Sequence, residues 1–237
     1  MRHLLLLLVA ALVTCSAPSP YVTTVGILRP GVTLAIEAWS ATVNAYQPAQ
    51  GQRRDSFTIA ATAPRNATPP PPPHLRAEPL GVVVHAPGTL QTLMVRVPDR
   101  VNLVVESHNG DVNVTDITGN ARVILRQGNV NIMLPGYAQA QVGAGNISVT
   151  MGATDWPGTL YFSTGRGDIV LRISAKAAFG VRLHTGHGVL FTDFALRGTS
   201  NGQSETIVGN VNGGSARQID VETSAGAIRL LRLQPQP

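Results

Sequence analysis

The chain has 237 residues, of which 43% are hydrophobic and only 13% charged, and its formal net charge is +5. That hydrophobic share supports a packed core and excludes an intrinsically disordered chain. Lys176 is the only lysine and the arginines are scattered from Arg29 to Arg232, which excludes a concentrated basic tract for specific nucleic-acid binding. One cysteine, Cys15, excludes an internal disulfide and a cysteine-ligated metal site.

Arg2 and His3 lead into the apolar stretch Leu4 to Val13, 10 residues long. A permanent transmembrane helix needs about 20. The stretch reads as a targeting segment, with residues 1–14 as signal peptide. Leu12-Val13-Thr14-Cys15 resembles a bacterial lipoprotein signal, in which Cys15 is lipidated after cleavage; Thr14 departs from the small residue usual at that position. Secretion in soluble form is the alternative, and a cut after Ala17 would leave Pro18 at the new terminus, where signal cleavage is disfavoured. The expectation is an exported protein of the bacterial cell envelope, attached to a membrane through Cys15, in the periplasm or at the cell surface.

Residues 16–20 form a short tether. From 21 to 63 the chain alternates apolar and polar residues in short runs, Tyr21 to Val25, Val32 to Trp39, Ala41 to Tyr46 and Phe57 to Ala61, punctuated by Gly26, Pro30, Gly31, Pro48 and Gly51. Alternation with period two between turn residues predicts strands. Residues 64–80 then carry Pro64, the five prolines Pro69 to Pro73, and Pro79. Proline lacks a backbone donor, so this segment is expected to be a stiff loop or insertion with neither helix nor central strand.

From 81 to 237 alternation resumes at Gly81 to His85 and Leu90 to Val97, and a signature then repeats: glycine, a polar residue, an apolar residue, any residue, an apolar residue. It reads Gly110-Asp111-Val112-Asn113-Val114, Gly128-Asn129-Val130-Asn131-Ile132, Gly145-Asn146-Ile147-Ser148-Val149, Gly167-Asp168-Ile169-Val170-Leu171 and Gly226-Ala227-Ile228-Arg229-Leu230, with weaker copies at Gly188 and Gly209. Successive glycines are 18, 17, 22, 21, 21 and 17 residues apart. A period of about 20 residues marks a stack in which each unit buries its apolar face against its neighbours. Glycine supplies positive φ at a corner, Asp or Asn is expected to hold that turn by bonding the local backbone, and the two apolar residues point to one side. In the fourth copy Ile169, Leu171 and Ile173 should face inward, with Asp168, Val170 and Arg172 outward. The fold expected is all-β, a β-solenoid or β-helix-like stack preceded by short N-terminal strands.

The run Met94-Val95-Arg96-Val97-Pro98, the strand Val101 to Ser107 leading to Gly110-Asp111-Val112, and the closing stretch from Gly209-Asn210-Val211-Asn212-Gly213-Gly214 to Leu230 together resemble the bacterial putative adhesin family, built from Gly-Asp-Ile/Val strand repeats. The resemblance covers residues 90 to 232 well and 21 to 63 more loosely. It implies an exported or surface-attached β-solenoid-like domain with no recognised catalytic residues. Gly188 without a following Asp, Ala227 in place of Asp, and the proline-rich insertion depart from the pattern, so looser turns are expected at the first two.

Residues that look like chemistry are mostly absorbed by the repeat. Arg166-Gly167-Asp168 spells an integrin-recognised tripeptide, yet its Gly-Asp is a repeat corner. His184 and His187, three apart, fall on opposite faces of a strand unless Gly186 bends it, so neither a metal site nor a cofactor is expected. Asp111, Asp116, Asp155, Asp168 and Asp193 would serve glycoside hydrolysis only as a converging pair about 5 to 9 Å apart. The leading expectation is a non-enzymatic envelope module that binds a glycan or an envelope protein, or supports structure, through an Asn-, Thr- and Arg-rich face. A polysaccharide-acting β-helix enzyme and an envelope-stress accessory or sensor protein are the alternatives.

Overall fold

The computed structural model describes residues 21–48, 54–63, 70–86, 88, 91–214 and 216–233. The signal segment 1–14, Cys15 and the tether 16–20 lie outside the described residues. Every regular element among the described residues is a strand. The N-terminal part supplies β1 (Tyr21–Ile27), β2 (Thr33–Tyr46), β3 (Ser56–Thr62), β4 (His74–Glu78), β5 (Gly81–Ala86) and β6 (Gln91–Arg96). The repeats supply β7 (Asn102–Asn109), β8 (Val112–Thr115), β9 (Ala121–Gln127), β10 (Val130–Leu134), β11 (Ala138–Ala144), β12 (Ile147–Met151), β13 (Thr159–Arg166) and β14 (Ile169–Ser174). The chain closes with β15 (Phe179–Thr185), β16 (Leu190–Thr192), β17 (Gly198–Ser200), β18 (Glu205–Val211), β19 (Gln218–Ala225) and β20 (Ile228–Leu233).

Each coil of the stack is a pair of strands meeting at a corner, and the pairs build two facing sheets. One runs β1-β3-β6-β2-β8-β10-β12-β14-β20-β16. The other runs β4-β5-β2-β7-β9-β11-β13-β19-β15-β18-β17. The long β2 belongs to both: Thr33 to Ser40 pairs with β7 in the second sheet, and Val43 to Tyr46 with β8 in the first. Within the stack all pairings are parallel. Antiparallel β1, β3 and β4 cover one end and β17 and β18 the other, which limits the unpaired backbone that invites edge-to-edge association.

Inward positions are those that period-two alternation predicts. Ile169, Leu171 and Ile173 are fully buried while Val170 is half-buried and Arg172 exposed. Equivalent residues stack in register, as in Ile147, Ile169 and Ile228. A buried Val, Leu, Ile or Phe contributes about 1.5–3 kcal/mol. One isolated coil would leave both strand edges and much of that apolar face wet, so the stack is the folding unit.

Three sequence expectations are corrected. The strands of 21–63 are not a unit apart from 81–237, because a single core cluster runs from Leu28 to Leu230 and β2 is inserted between the β5–β6 coil and the β7–β8 coil. The stretch 64–80 is not wholly loop: His74 to Glu78 makes an edge strand on β5, possible because its one paired side needs no donor from the prolines before it. Gly209 is not a corner. It lies inside β18, antiparallel to β15 with Val181 opposite, because Asn212-Gly213 turns the chain before another inward-facing strand could follow.

The chain order of the coils is also not their spatial order. The last coil, β19–β20, lies between β13–β14 and β15–β16. Both the first coil of the chain and the last are therefore gripped on two sides.

Candidate functional site

The corners fix what the rest of the surface is free to do. Gly110, Gly128, Gly145, Gly167, Gly188 and Gly226 all have positive φ, from +112° to +159°. Their packing reproduces the spatial order: a Cβ on Gly226 would lie 2.0 Å from the Gly167 carbonyl oxygen, and one on Gly188 2.0 Å from that of Gly226.

Asp and Asn at the corners bond differently from expectation. They reach the next coil instead of their own turn. Asp111 Oδ1 accepts from Asn129 N–H at 2.7 Å, Asn129 Oδ1 from Asn146 N–H at 3.0 Å, Asn146 Oδ1 from Asp168 N–H at 2.8 Å, and Asp168 Oδ1 from Ala227 N–H at 2.8 Å. Each carboxylate or amide oxygen thus satisfies a backbone donor one coil away. The ladder ends at Ala227, which has no side-chain acceptor to pass on; the corner is nonetheless formed, since its backbone still receives Ile169 N–H. Asn146→Ala is expected to lower stability by about 1 kcal/mol, read as a shift of the urea midpoint at unchanged slope.

A second signature escaped the sequence reading. Ser107, Thr164, Thr185 and Thr223 each precede a corner glycine by three residues and are buried. Thr164, Thr185 and Thr223 hydroxyls donate to the carbonyls of Gly145, Gly226 and Gly167 at 2.9, 2.9 and 3.1 Å. Buried hydroxyls in a core need such partners. The spacing was visible in the sequence.

The chemistry candidates disperse. Asp168 of the Arg-Gly-Asp tripeptide is bound into the ladder. His184 Nδ1 lies 2.9 Å from Thr206 Oγ1, while the exposed His187 sits at the corner beyond β15. Among the described residues no three His, Cys, Asp or Glu side chains are grouped to hold a metal ion. Asp116 follows β8 in the left-handed region at φ 55°, and Asp193 Oδ2 accepts from Arg232 N–H at 3.1 Å. Asp155 pairs with Arg217, whose guanidinium hydrogen bond holds the Asp155 carboxyl below the ordinary carboxylate range and raises the arginine.

What converges instead are residues from β2, β5, β7 and β9. The register sets Glu37 beside His85 on one side and Glu106 on the other, and His85 Nδ1 lies 2.9 Å from Glu37 Oε2. Two residues on, Trp39 stacks on His108 with ring centroids 4.1 Å apart and planes 26° apart. Trp39 is 58% exposed, against 4% for the chain's other tryptophan, Trp156. Together with Glu106 and Arg126 these side chains line an open groove of about 510 Å³ on the outer face of the second sheet. Neither Glu106 nor Arg126 makes an ion pair among the described residues. No sequence signal found this groove, because its residues come from four strands spread between positions 37 and 126, and those of β2 meet those of β5 and β7 only through the insertion of β2 between them.

The family model for Toastrack DUF4097 matches residues 93–231. No curated protein matches the chain. Among solved structures, a putative cell adhesion protein from Clostridium sporogenes ATCC 15579 is 9% identical with a TM-score of 0.49, over 89% of this chain and 99% of that one. A putative adhesin from Bacteroides fragilis NCTC 9343 is 9% identical with a TM-score of 0.33, over 90% and 97%. The matched 93–231 make up more than half of the chain and hold every glycine corner from Gly110 to Gly226, and the chain belongs to the Toastrack DUF4097 family.

Proposed function

We propose that this is an exported, non-catalytic binding module of the bacterial cell envelope, tethered to a membrane through lipid on Cys15 and presenting the groove of the second sheet to its ligand. The observation that carries this reading is the groove itself. An exposed indole stacked on an imidazole, with carboxylates, a second histidine and a guanidinium around it, is a concave mixture of apolar surface and convergent polar groups, as ligand sites are. The aspartates elsewhere are engaged in corners, turns and an ion pair, which supports binding over catalysis. The apolar stretch before Cys15, too short to span, supports export and anchoring.

Cells expressing the full chain are expected to incorporate labelled palmitate into it, with the label lost in Cys15→Ala and the protein then recovered in soluble form. Unlabelled wild-type protein would overturn the anchor. Glu37 and Glu106 are register neighbours, so an enzymatic reading rests on that pair. Release of new reducing ends from polysaccharide by the purified mature chain, abolished by Glu37→Gln or Glu106→Gln, would overturn the non-catalytic reading.

A further inference from the structure

We infer that the groove is a saccharide site, taking one pyranose ring of a neutral glycan chain on Trp39 and letting the rest of the chain run along the solenoid axis. The inference rests on the binding-module reading above and supplies its ligand class.

Trp39 sits on β2 where the strand passes from one sheet to the other, with Ala38 held by β5 and β7, Ser40 by β7 and Ala41 by β6, so its backbone is fixed before any ligand arrives. His108, stacked on it with ring centroids 4.1 Å apart, restricts the indole further. A rigid, solvent-facing ring surface loses little freedom on binding. The negative π face of an indole attracts the polarised C–H bonds that a pyranose presents on its apolar face. Hydroxyl groups lie around the rim of such a ring and need both acceptors and donors in the same plane. Glu37 and Glu106 supply acceptors, and Arg126 supplies donors. A flat apolar ligand without hydroxyls would leave Glu106 and Arg126 desolvated and unpaired.

Charge selects among glycans. Two carboxylates face one guanidinium, with His85 already held by Glu37. Within the groove a polyanionic chain would meet more carboxylate than guanidinium, so the local fit is to a neutral one.

The register then gives a direction. His108, Arg126, Gly143, Gly165 and Ser224 occupy successive strands at one level of the sheet, one row beyond Glu106, Ile124, Gln141, Ser163 and Glu222. At Gly143 and Gly165 a Cβ would lie 2.5 Å from the carbonyl oxygens of Arg126 and Gly143. The lane beyond Arg126 therefore carries no side chains for two strands, about 4.8 Å each. A glycan extending past Arg126 would run along this lane beside the row of Gln141 and Ser163, whose amide and hydroxyl suit sugar hydroxyls.

The test is native affinity electrophoresis of the mature chain, with Cys15→Ser for solubility, in gels containing hydroxyethyl cellulose, mannan, xylan or, as the acidic contrast, polygalacturonate. Intrinsic fluorescence reports in parallel, since Trp39 is the exposed tryptophan. At least one neutral polysaccharide is expected to retard the protein and change its emission saturably. Trp39→Ala should weaken that binding at least tenfold with an unchanged far-UV spectrum, Trp39→Phe less, and Val208→Ala, at the far end of the stack, not at all. Retention by polygalacturonate alone, or a Trp39→Ala variant that binds like wild type, would overturn the inference. So would the absence of retardation in every gel. If the anchored protein then still releases no reducing ends, the broader module reading survives the loss of its glycan.

Discussion

Gly145→Ala should destabilise the protein by about 3 kcal/mol or more, while Gly158→Ala should cost about 1 kcal/mol. Both glycines have positive φ, +144° and +62°. They differ in what surrounds them. A Cβ at Gly145 would be 1.9 Å from the Gly128 carbonyl oxygen and 2.6 Å from its carbon, whereas at Gly158 nothing lies within 4 Å. The Gly128 carbonyl belongs to the neighbouring coil and cannot retreat alone, because Asn129 beside it accepts Asn146 N–H at 3.0 Å through its side chain. Relief of the clash must open the column between two coils, with Val130 and Ile147 pulled apart across it. Urea unfolding of the two variants decides the matter. Equal midpoints would mean that the corners carry only a conformational preference and no steric closure.

Much of this architecture was legible in the sequence, for local reasons. A corner needs a residue tolerant of positive φ, and an inward face needs alternate apolar residues; both requirements are met within five positions, so Gly110, Gly128, Gly145, Gly167 and Gly226 announce themselves. Gly209 misleads by the same locality. It has the following Asn and apolar residue, and Thr206 even stands three before it, like the buried threonines of true corners. Only the Asn212-Gly213 turn, which stops the run after Val211, separates it from them. The spatial order of the coils was not legible at all. Every coil offers the same register and nearly the same inward residues, so the pattern that makes β19–β20 fit beside β13–β14 would let it fit elsewhere. The groove inherits that illegibility, since Trp39 meets His108 only because β2 is threaded between later strands.

Corner and groove divide the chemistry of this surface. Asp111, Asn129, Asn146 and Asp168 have their oxygens turned along the stack to neighbouring backbone, so the polar groups most conspicuous in the sequence are those least available to a ligand. Trp39, Glu106 and Arg126 come from positions with no repeat signature, and they are exposed. In a stack whose folding rules occupy the repeated positions, binding specificity falls to the exceptions.

Removing residues 215–237 should leave a chain that does not fold cooperatively, and co-expressing the missing segment should restore it. The lost coil is internal to the stack although terminal in the chain: β19 bridges β13 and β15, and β20 bridges β14 and β16. Ile219, Val221, Ile228 and Leu230 are buried, and together they contribute about 6–12 kcal/mol, comparable with the whole stability of an ordinary domain, about 5–15 kcal/mol. Their loss also strips Trp156 of the Gln218 carbonyl that its indole N–H reaches at 3.3 Å, and Asp155 of Arg217. Direct closure of β15 onto β13 would have to be achieved through the four residues between β14 and β15, which now span a gap of one strand, with Phe179 packed between Trp156 at 5.6 Å and Phe194 at 5.8 Å. Circular dichroism melts of the truncated chain, alone and with residues 215–237 supplied as a separate polypeptide, read the outcome. The segment supplied in trans is expected to co-purify with the truncated chain and return a single sharp transition. A truncated chain that melts sharply by itself at the wild-type temperature would show that the last coil is an appendage and that the stack closes without it.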